Sequence, residues 1–303
     1  MLKIGVIGIG DIAKKAYLPV YSHKEGVEFH FFTRNLSTRS LIQNKYNFKN
    51  VHDSLESLIR SGIEAAFVHS STDSHEEIVK FLLLNHLHVY VDKPITFHYE
   101  TTKQLIQLAK DNSLIFTAGF NRRFAPSYKQ LKYLSNPNMI IMQKNRKSLP
   151  DEIRRFVFDD FIHVIDTMVY LFPTTIENII VTGKKVESQL YHVIIQFTSK
   201  DCTAIGIMNR YSGTIEEKLE IMSPNEKFEV HNVSELYNQK DKDKTKLGSS
   251  DWEPTLMKRG FEQIVTNFVE AVQLKNNIGI SVNDLLLTHQ ICEEVVHKLE
   301  NMK

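Results

Sequence analysis

Cysteine is scarce in this chain. Cys202 and Cys292 are the only two, they lie far apart and form no CxxC pair, so neither a disulfide framework nor a zinc ribbon is expected. An excess of charge of one sign is lacking as well: 37 Lys and Arg stand against 36 Asp and Glu, for a formal net charge of +1 and a pI near 7.8. Such a surface has no overall pull toward nucleic acid or anionic lipid, and a small soluble partner fits better. Long hydrophobic runs are missing too. The first apolar stretch is broken by Lys3, Gly5, Gly8 and Gly10, and nothing approaches the roughly 20 apolar residues of a membrane span. With no secretory segment either, the cytosol is the expected compartment. Internal repeats and low-complexity tracts are also absent.

What the chain has is length and alternation. At 303 residues it exceeds a usual single core, which predicts two domains, divided here as 1–120 and 121–303. It opens Leu2-Lys3-Ile4-Gly5-Val6-Ile7-Gly8-Ile9-Gly10-Asp11-Ile12-Ala13, an apolar strand running into a glycine turn and then a helix. Gly8 permits the turn, Gly10 lets backbone N–H groups approach a pyrophosphate, and Ala13 allows close packing of helix on strand. The phosphates would sit over the helix N-terminus at Asp11 and Ile12, where unpaired N–H groups and the helix dipole favour an anion. This predicts a dinucleotide site.

Strand and helix then alternate. Strands are expected at Val27–Phe32, 63–69, His88–Val91 and 114–119, with helices at 37–46, after Ser74 as a cap, and at 99–110. This is the pattern of a doubly wound parallel sheet, the Rossmann arrangement. After a helix near 127–134 the pattern changes: strand-like stretches at 139–143, 176–182, 191–197, 203–208 and 218–221 follow one another without helices. They predict a C-terminal α+β domain with a large open, mostly antiparallel sheet. The mixed-charge run at 239–246 reads as a solvated loop or hairpin tip. Helices at 258–274 and 281–298 close the chain, and the last is expected to pack back on the first domain.

At the end of the second strand, where NAD-binding folds place a ribose-binding carboxylate, the chain has Thr33-Arg34-Asn35. Without an acid to repel a 2′-phosphate, Arg34 can offer its fork, with Ser37, Thr38 and Arg39 as further donors, which points to NADP with NAD as the alternative. Two more loops lie at carboxyl ends of strands, where such sheets bind ligands: Ser70-Ser71-Thr72-Asp73-Ser74-His75 and Asp92-Lys93-Pro94. The first reads equally as helix capping or cofactor contact. Lys93 leaves its strand at the ligand edge and would aim an ammonium into the crevice.

The segment from Phe158 to Met168 holds Asp159, Asp160, His163 and Asp166 among apolar residues. On a helix Asp159 and His163 are i and i+4 and share a face. His163 could take a proton from a substrate hydroxyl as the carbinol carbon loses hydride, with Asp159 holding that hydroxyl or orienting the ring. Two other readings stand beside this: the aspartates cap a helix while His163 is a core residue, or Asp159, His163 and Asp166 hold a metal. The last lacks companion ligands, so no metal is expected.

These motifs together resemble the glucose–fructose oxidoreductase, inositol dehydrogenase and MocA family, Gfo/Idh/MocA. The resemblance is carried by Gly8 through Ala13, Asp92-Lys93-Pro94, Gly119-Phe120-Asn121-Arg122-Arg123-Phe124, and Asp159 through His163 to Asp166, and it spans both domains. Phe67 through Thr72, Val91 through Pro94, Gly119 through Pro126 and Arg259-Gly260-Phe261 are similar to its virulence factor MviM-like branch. The resemblance implies an N-terminal Rossmann domain, an open C-terminal sheet, hydride transfer with NAD(P), and Lys93, Asp159 and His163 lining the nicotinamide and substrate pocket. Cofactor contacts would come from Gly8, Gly10, Asp11, Ile12, Thr33, Arg34, Ser70, Ser71, Thr72, His75, Asp92, Lys93 and Asn121.

Two departures stand out: Asp92 replaces the family's usual glutamate before Lys-Pro, and Ser71-Thr72-Asp73 replaces its Thr-Pro-Asn loop. The expected reaction is oxidation or reduction at a CH–OH group of a small polyhydroxylated substrate. Arg122, Lys144, Arg146 and Arg210 are candidate contacts, and if they reach the pocket the substrate is acidic or phosphorylated. The competing class is a non-catalytic NADP(H)-binding sensor with the same fold. A homodimer or higher homo-oligomer is expected through the second domain, because a sheet covered on one face leaves the other in need of a partner.

Overall fold

Six short, apolar strands near the N-terminus pair in parallel: β1 (Leu2–Ile7), β2 (Val27–Phe32), β3 (Val51–His52), β4 (Ala65–Val68), β5 (His88–Val91) and β6 (Phe116–Ala118). In this computed structural model, which describes residues 1–302 except 249, 251, 277 and 278, their order is β3-β2-β1-β4-β5-β6. β4 is buried along its whole length, as a strand covered on both faces must be. The order reverses between β1 and β4, and that break is where doubly wound sheets open a crevice for ligands. The helix after the glycine turn contains a wide π turn, Ala13–Tyr17, before its α-helical part Leu18–His23.

The chain divides into two compact units, Met1–Gly119 with Phe261–Leu285, and Phe120–Gly260 with the chain from Leu286 onward. As far as Leu285 the last helix belongs to the first unit, and so does the whole helix Phe261–Leu274. Its Phe268 ring packs 4.9 Å from Phe67 and its Phe261 ring 5.4 Å from Tyr17, centroid to centroid. The last helix, Val282–Glu300, is held for most of its length in the second unit, where Thr288 donates to Asp166, Glu293 pairs with Arg154 and Lys298 donates to the Ile179 carbonyl.

The second unit is built on a nine-stranded sheet of β7 (Met139–Lys147), β8 (Asp151–Glu152), β9 (Asn178–Val186), β10 (Gln189–Thr198), β11 (Thr203–Ser212), β12 (Glu216–Met222), β13 (Lys227–His231), β14 (Glu235–Lys240) and β15 (Asp243–Leu247). Among the described residues of this sheet β7 and β11 pair in parallel and the other pairings are antiparallel. The charged run at 239–246, expected to be a solvated loop or hairpin tip, is strand for most of its length, and Asp241 and Lys242 form the turn that joins β14 to β15. One face of the sheet is covered by the helix Ile162–Leu171. A Cβ on Gly206 of β11 would meet Met168 Sδ at 2.4 Å and Val164 Cγ1 at 2.8 Å, so helix and sheet touch where the side chain is missing. The opposite face keeps Ile180 and Ile194 exposed at 54% and 37%.

Candidate functional site

The crevice at the break in strand order is a cavity of about 780 Å³, lined by the glycine turn, the end of β2 and the loop after β4. That volume lies within the range of ligand pockets. Gly8 and Gly10 sit in it for different reasons. Gly8 has φ +81°, and a Cβ there would lie 2.5 Å from the Ser70 backbone nitrogen, so the protein's own packing requires glycine. Around Gly10 a Cβ would meet only the His69 carbonyl at 3.8 Å, so nothing within the chain demands a bare Cα. That open space suits close approach of a pyrophosphate, as does the buried Ser70 hydroxyl, whose oxygen has no hydrogen-bond partner.

Thr33, Arg34 and Asn35 line the same cavity. Asn35 caps the helix Leu36–Tyr46 by accepting from the Thr38 N–H, and the Ser37 hydroxyl and the Arg39 Nε donate to Asn35 and to the Thr33 carbonyl. Ser37, Thr38 and Arg39 therefore close the helix end, while Arg34 stays exposed on the rim. The structure also brings two carboxylates to the lining, Glu56 and Glu77. Glu56 sits in the first turn of a helix capped by Ser54, far from Arg34 in sequence, and nothing in the local pattern singled it out.

Other residues expected to meet the cofactor are committed to the framework. His75 is 1% exposed, with Nδ1 3.0 Å from the Pro94 carbonyl and Nε2 3.0 Å from the Ser70 carbonyl. Burial lowers its pKa despite those carbonyls, and a neutral ring has one hydrogen to offer between them. His75 thus joins the two ligand-edge loops. Asp92 precedes Lys93 in the chain, and its Oδ2 lies 2.9 Å from His69 Nδ1. Burial pushes the Asp92 carboxyl up, but the charge and hydrogen bond of His69, with a hydrogen bond from Tyr17, hold it below its usual value. His69 Nε2 lies 2.7 Å from the Tyr21 hydroxyl, and the Tyr17 and Tyr90 hydroxyls are 2.6 Å apart.

Asp11 is exposed and paired with Lys15 at 2.8 Å, and Ile12 is 46% exposed; neither lines the cavity, and nor does Thr72. Ser71 and Ser74 do. Ser74 stands where its helix begins, but its hydroxyl donates to the Ser71 carbonyl and does not cap, contrary to the sequence reading. Lys93 is half-buried after β5, and the Lys93–Pro94 peptide is cis.

In the second unit a charged cluster interrupts the covered face of the sheet. Ile140, Met142 and Lys144 on β7, and Glu217, Leu219 and Ile221 on β12, alternate inward, with Lys144 directly opposite Glu217. Arg122 grips both Glu217 oxygens, Nε at 2.7 Å and Nη2 at 2.6 Å, and the Tyr128 hydroxyl donates to the same carboxylate at 2.9 Å. The third nitrogen of Arg122, Nη1, lies 2.7 Å from His163 Nδ1. Lys144 and Arg146 both pair with Asp160. Burial drives the Lys144 ammonium down to about 7 against the pull of Asp160, and the charges of Lys144 and Arg146 hold Asp160 well below the usual carboxylate range although burial opposes them.

Arg122, Lys144, Arg146 and His163 are therefore brought together, but each of the three cations has a carboxylate partner. Arg210 is separate, pairing with Asp151 at 3.3 Å and lying 5.1 Å over the Phe156 ring. Asp166 is taken up by Arg123 at 2.8 Å and by Thr288, which removes it from the metal reading. Asn121 is 5% exposed and donates to the Arg259 carbonyl at 2.8 Å. The helix expected to place Asp159 and His163 four apart on one face instead has a π turn over Phe156–Phe161, so the two straddle its end. Its N-terminus is capped by Glu152, not by Asp159 or Asp160.

Sequence reasoning passed over Glu217, although its phase with Leu219 and Ile221 marked it as inward-facing. Asp160 was named only as a cap.

A parallel sheet with a glycine-lined cavity at its switch point, followed by an open sheet with a polar cluster under its helix, is the architecture of a two-domain dinucleotide-dependent oxidoreductase. Comparison with known proteins agrees. Residues 2–120 match the Gfo/Idh/MocA profile, described as an oxidoreductase family with an NAD-binding Rossmann fold, and residues 126–241 match the YceM-like C-terminal domain. The protein YceM of Salmonella typhimurium is 31% identical over 299 residues, covering 96% of each chain. The crystal structure of a dehydrogenase, MviM, from Clostridium difficile superposes with a TM-score of 0.93 at 32% identity, covering 98% of this chain and 99% of that one. A myo-inositol 2-dehydrogenase of Thermotoga maritima is 24% identical over 208 residues, 62% of this chain and 61% of its own. The chain belongs to the Gfo/Idh/MocA family of oxidoreductases.

Proposed function

We propose that this protein transfers hydride between a nicotinamide dinucleotide, NADP(H) in preference to NAD(H), and a CH–OH carbon of a small polyhydroxylated molecule such as a sugar, a polyol or a derivative of one. The observation that carries the reading is the 780 Å³ cavity over Gly8 and Gly10 with the unpartnered Ser70 hydroxyl in its wall. These residues fit a dinucleotide, which when bound supplies the hydride chemistry. The preference for NADP(H) rests on Thr33 and Arg34 in place of an acid at the end of β2; Glu56 in the same lining works against it.

Lys93 is the residue proposed to stabilise alkoxide character on the reacting oxygen, and Asp159 and His163 are proposed to act on the substrate hydroxyl. Because Asp160 and Glu217 offset Lys144, Arg146 and Arg122, the cluster suits a hydroxyl-rich substrate better than a highly charged one. The myo-inositol 2-dehydrogenase relative points to the same class. A second copy of this chain is the proposed partner, through the outward face of the second sheet.

The test is a screen of purified protein with NADP⁺ and NADPH against sugars, polyols, sugar acids and sugar phosphates, followed by nicotinamide absorbance. Turnover that falls about 10²–10⁴-fold in Lys93→Ala, with cofactor affinity kept, is the expected result. Tight cofactor binding without turnover on any class would replace the enzyme with the sensor reading.

A further inference from the structure

The contact between Arg122 and His163 decides where the imidazole carries its hydrogen. A guanidinium has only N–H donors and stays charged at any pH a folded protein tolerates. With Arg122 Nη1 2.7 Å from His163 Nδ1, Nδ1 must present its lone pair, and a neutral ring then holds its hydrogen on Nε2. The arginine cannot turn away easily. Its Nε and Nη2 are bound to the two Glu217 oxygens, Tyr128 adds a third hydrogen bond to that carboxylate, and Arg122, Glu217 and Tyr128 are 6%, 7% and 0% exposed. A bidentate, buried pair fixes the plane of the guanidinium and so the direction of Nη1.

We propose that Arg122 is a positioning residue, braced by Glu217, that locks His163 as the Nε2–H tautomer, so that His163 donates a hydrogen bond to the reacting oxygen and does not take its proton. The inference rests on the oxidoreductase reading for its role in catalysis. In the oxidative direction the C–H bond of the carbinol would break with its electron pair going to the nicotinamide, and the O–H proton would pass to solvent water, leaving a carbonyl. The His163 hydrogen stays on Nε2 throughout. It serves as a fixed dipole toward the oxygen where negative charge develops, a role worth about 10²–10³-fold in turnover for a single well-aimed donor.

The tautomer can be read without any activity, by two-bond ¹H–¹⁵N correlation on ¹⁵N-histidine-labelled protein, with His163 assigned by its absence in His163→Gln. The wild type is expected to show protonation at Nε2 alone at neutral pH. In the charge-balanced double variant Arg122→Gln with Glu217→Gln, whose amide can accept as well as donate, protonation at Nδ1 is expected to appear. A wild type protonated at Nδ1, or a double variant with the wild-type pattern, overturns the proposal whether or not a substrate is known.

On an identified substrate His163→Gln, which keeps an N–H donor but cannot act as a base, should retain at least about a tenth of kcat while His163→Ala loses about 10²-fold. Equal losses in the two variants overturn the donor role. A screen that finds no substrate bears on the proposed function and leaves the tautomer test standing.

Discussion

Arg122 and Glu217, 95 residues apart in sequence, form a two-pronged ion pair of 2.7 and 2.6 Å in which neither side chain is more than 8% exposed. Burial alone would raise the Glu217 carboxyl; the charge and hydrogen bonds of Arg122 overcome it and hold the group at about 2, against an ordinary 4.5. A carboxylate depressed on folding contributes stability that is fully present above its unfolded pKa and is lost as pH falls through its folded one, here from about 4.5 to about 2. A shift of that size corresponds to about 3 kcal/mol. Urea unfolding of the wild type should therefore weaken below pH 4.5. Glu217→Gln, which strands a buried guanidinium, should cost about 3–5 kcal/mol at pH 7 and show a shallower acid slope. An unchanged slope in the variant would contradict the assignment.

The two glycines of the first turn should separate stability from binding. Gly8→Ala forces a Cβ onto the Ser70 backbone at φ +81° and is expected to destabilise the protein by about 1–3 kcal/mol. Gly10→Ala meets no neighbour closer than 3.8 Å, so its melting temperature should stay near that of the wild type while affinity for NADPH drops. Calorimetric melting alongside a fluorescence titration distinguishes them; equal loss of stability in both would defeat the reading.

Arg34 and Glu56 both line the cavity, and the proposed cofactor preference is tested on this pair. Arg34→Ala should weaken NADPH by about tenfold or more, in keeping with roughly 1.5–3 kcal/mol for a charge-assisted bond, and leave NADH nearly unchanged. Glu56→Gln should shift the ratio the other way, toward NADPH. Dissociation constants for both cofactors, measured by calorimetry in the two variants, check the pair together. If Arg34→Ala keeps the wild-type ratio, the preference has another source.

Self-association should depend on the uncovered face of the second sheet. Ile194 and Ile207 are paired across β10 and β11, and their neighbours in each strand point the other way, into the core. An aspartate there adds a charge to an interface core that normally excludes it. Light scattering of the wild type is expected to give a dimer or higher oligomer, and Ile194→Asp a smaller species with unchanged circular dichroism. A monomeric wild type at micromolar concentration would rule this out.

The architecture was legible because its signals are local. The apolar run of β1 into Gly8, the alternation of strand and helix as far as Ala118, and the two-residue period of β7, β10, β11 and β12 each reside in a few consecutive residues. The short β13 and the polar β14 and β15 escaped notice, since charged strands such as Asp243–Leu247 carry no apolar alternation. Lys93, Asp159 and His163 could be named as candidates from motif alone, and Lys144 and Glu217 could be placed inward from their phase with apolar neighbours.

Pairing lay beyond local pattern. That Asp160 receives Lys144 and Arg146, that Asp166 belongs to Arg123, and that Glu56 joins Arg34 at one cavity depends on which strands lie side by side, and hydrogen bonds between distant residues leave no spacing to read. The same holds for the helix around Phe156–Phe161, where a π turn breaks the four-residue register that a regular helix would impose. Sequence by itself determined the elements, the glycine turn and the chemistry available. Tertiary structure decided the partner of each charged group, because ion pairs are set by what meets in space.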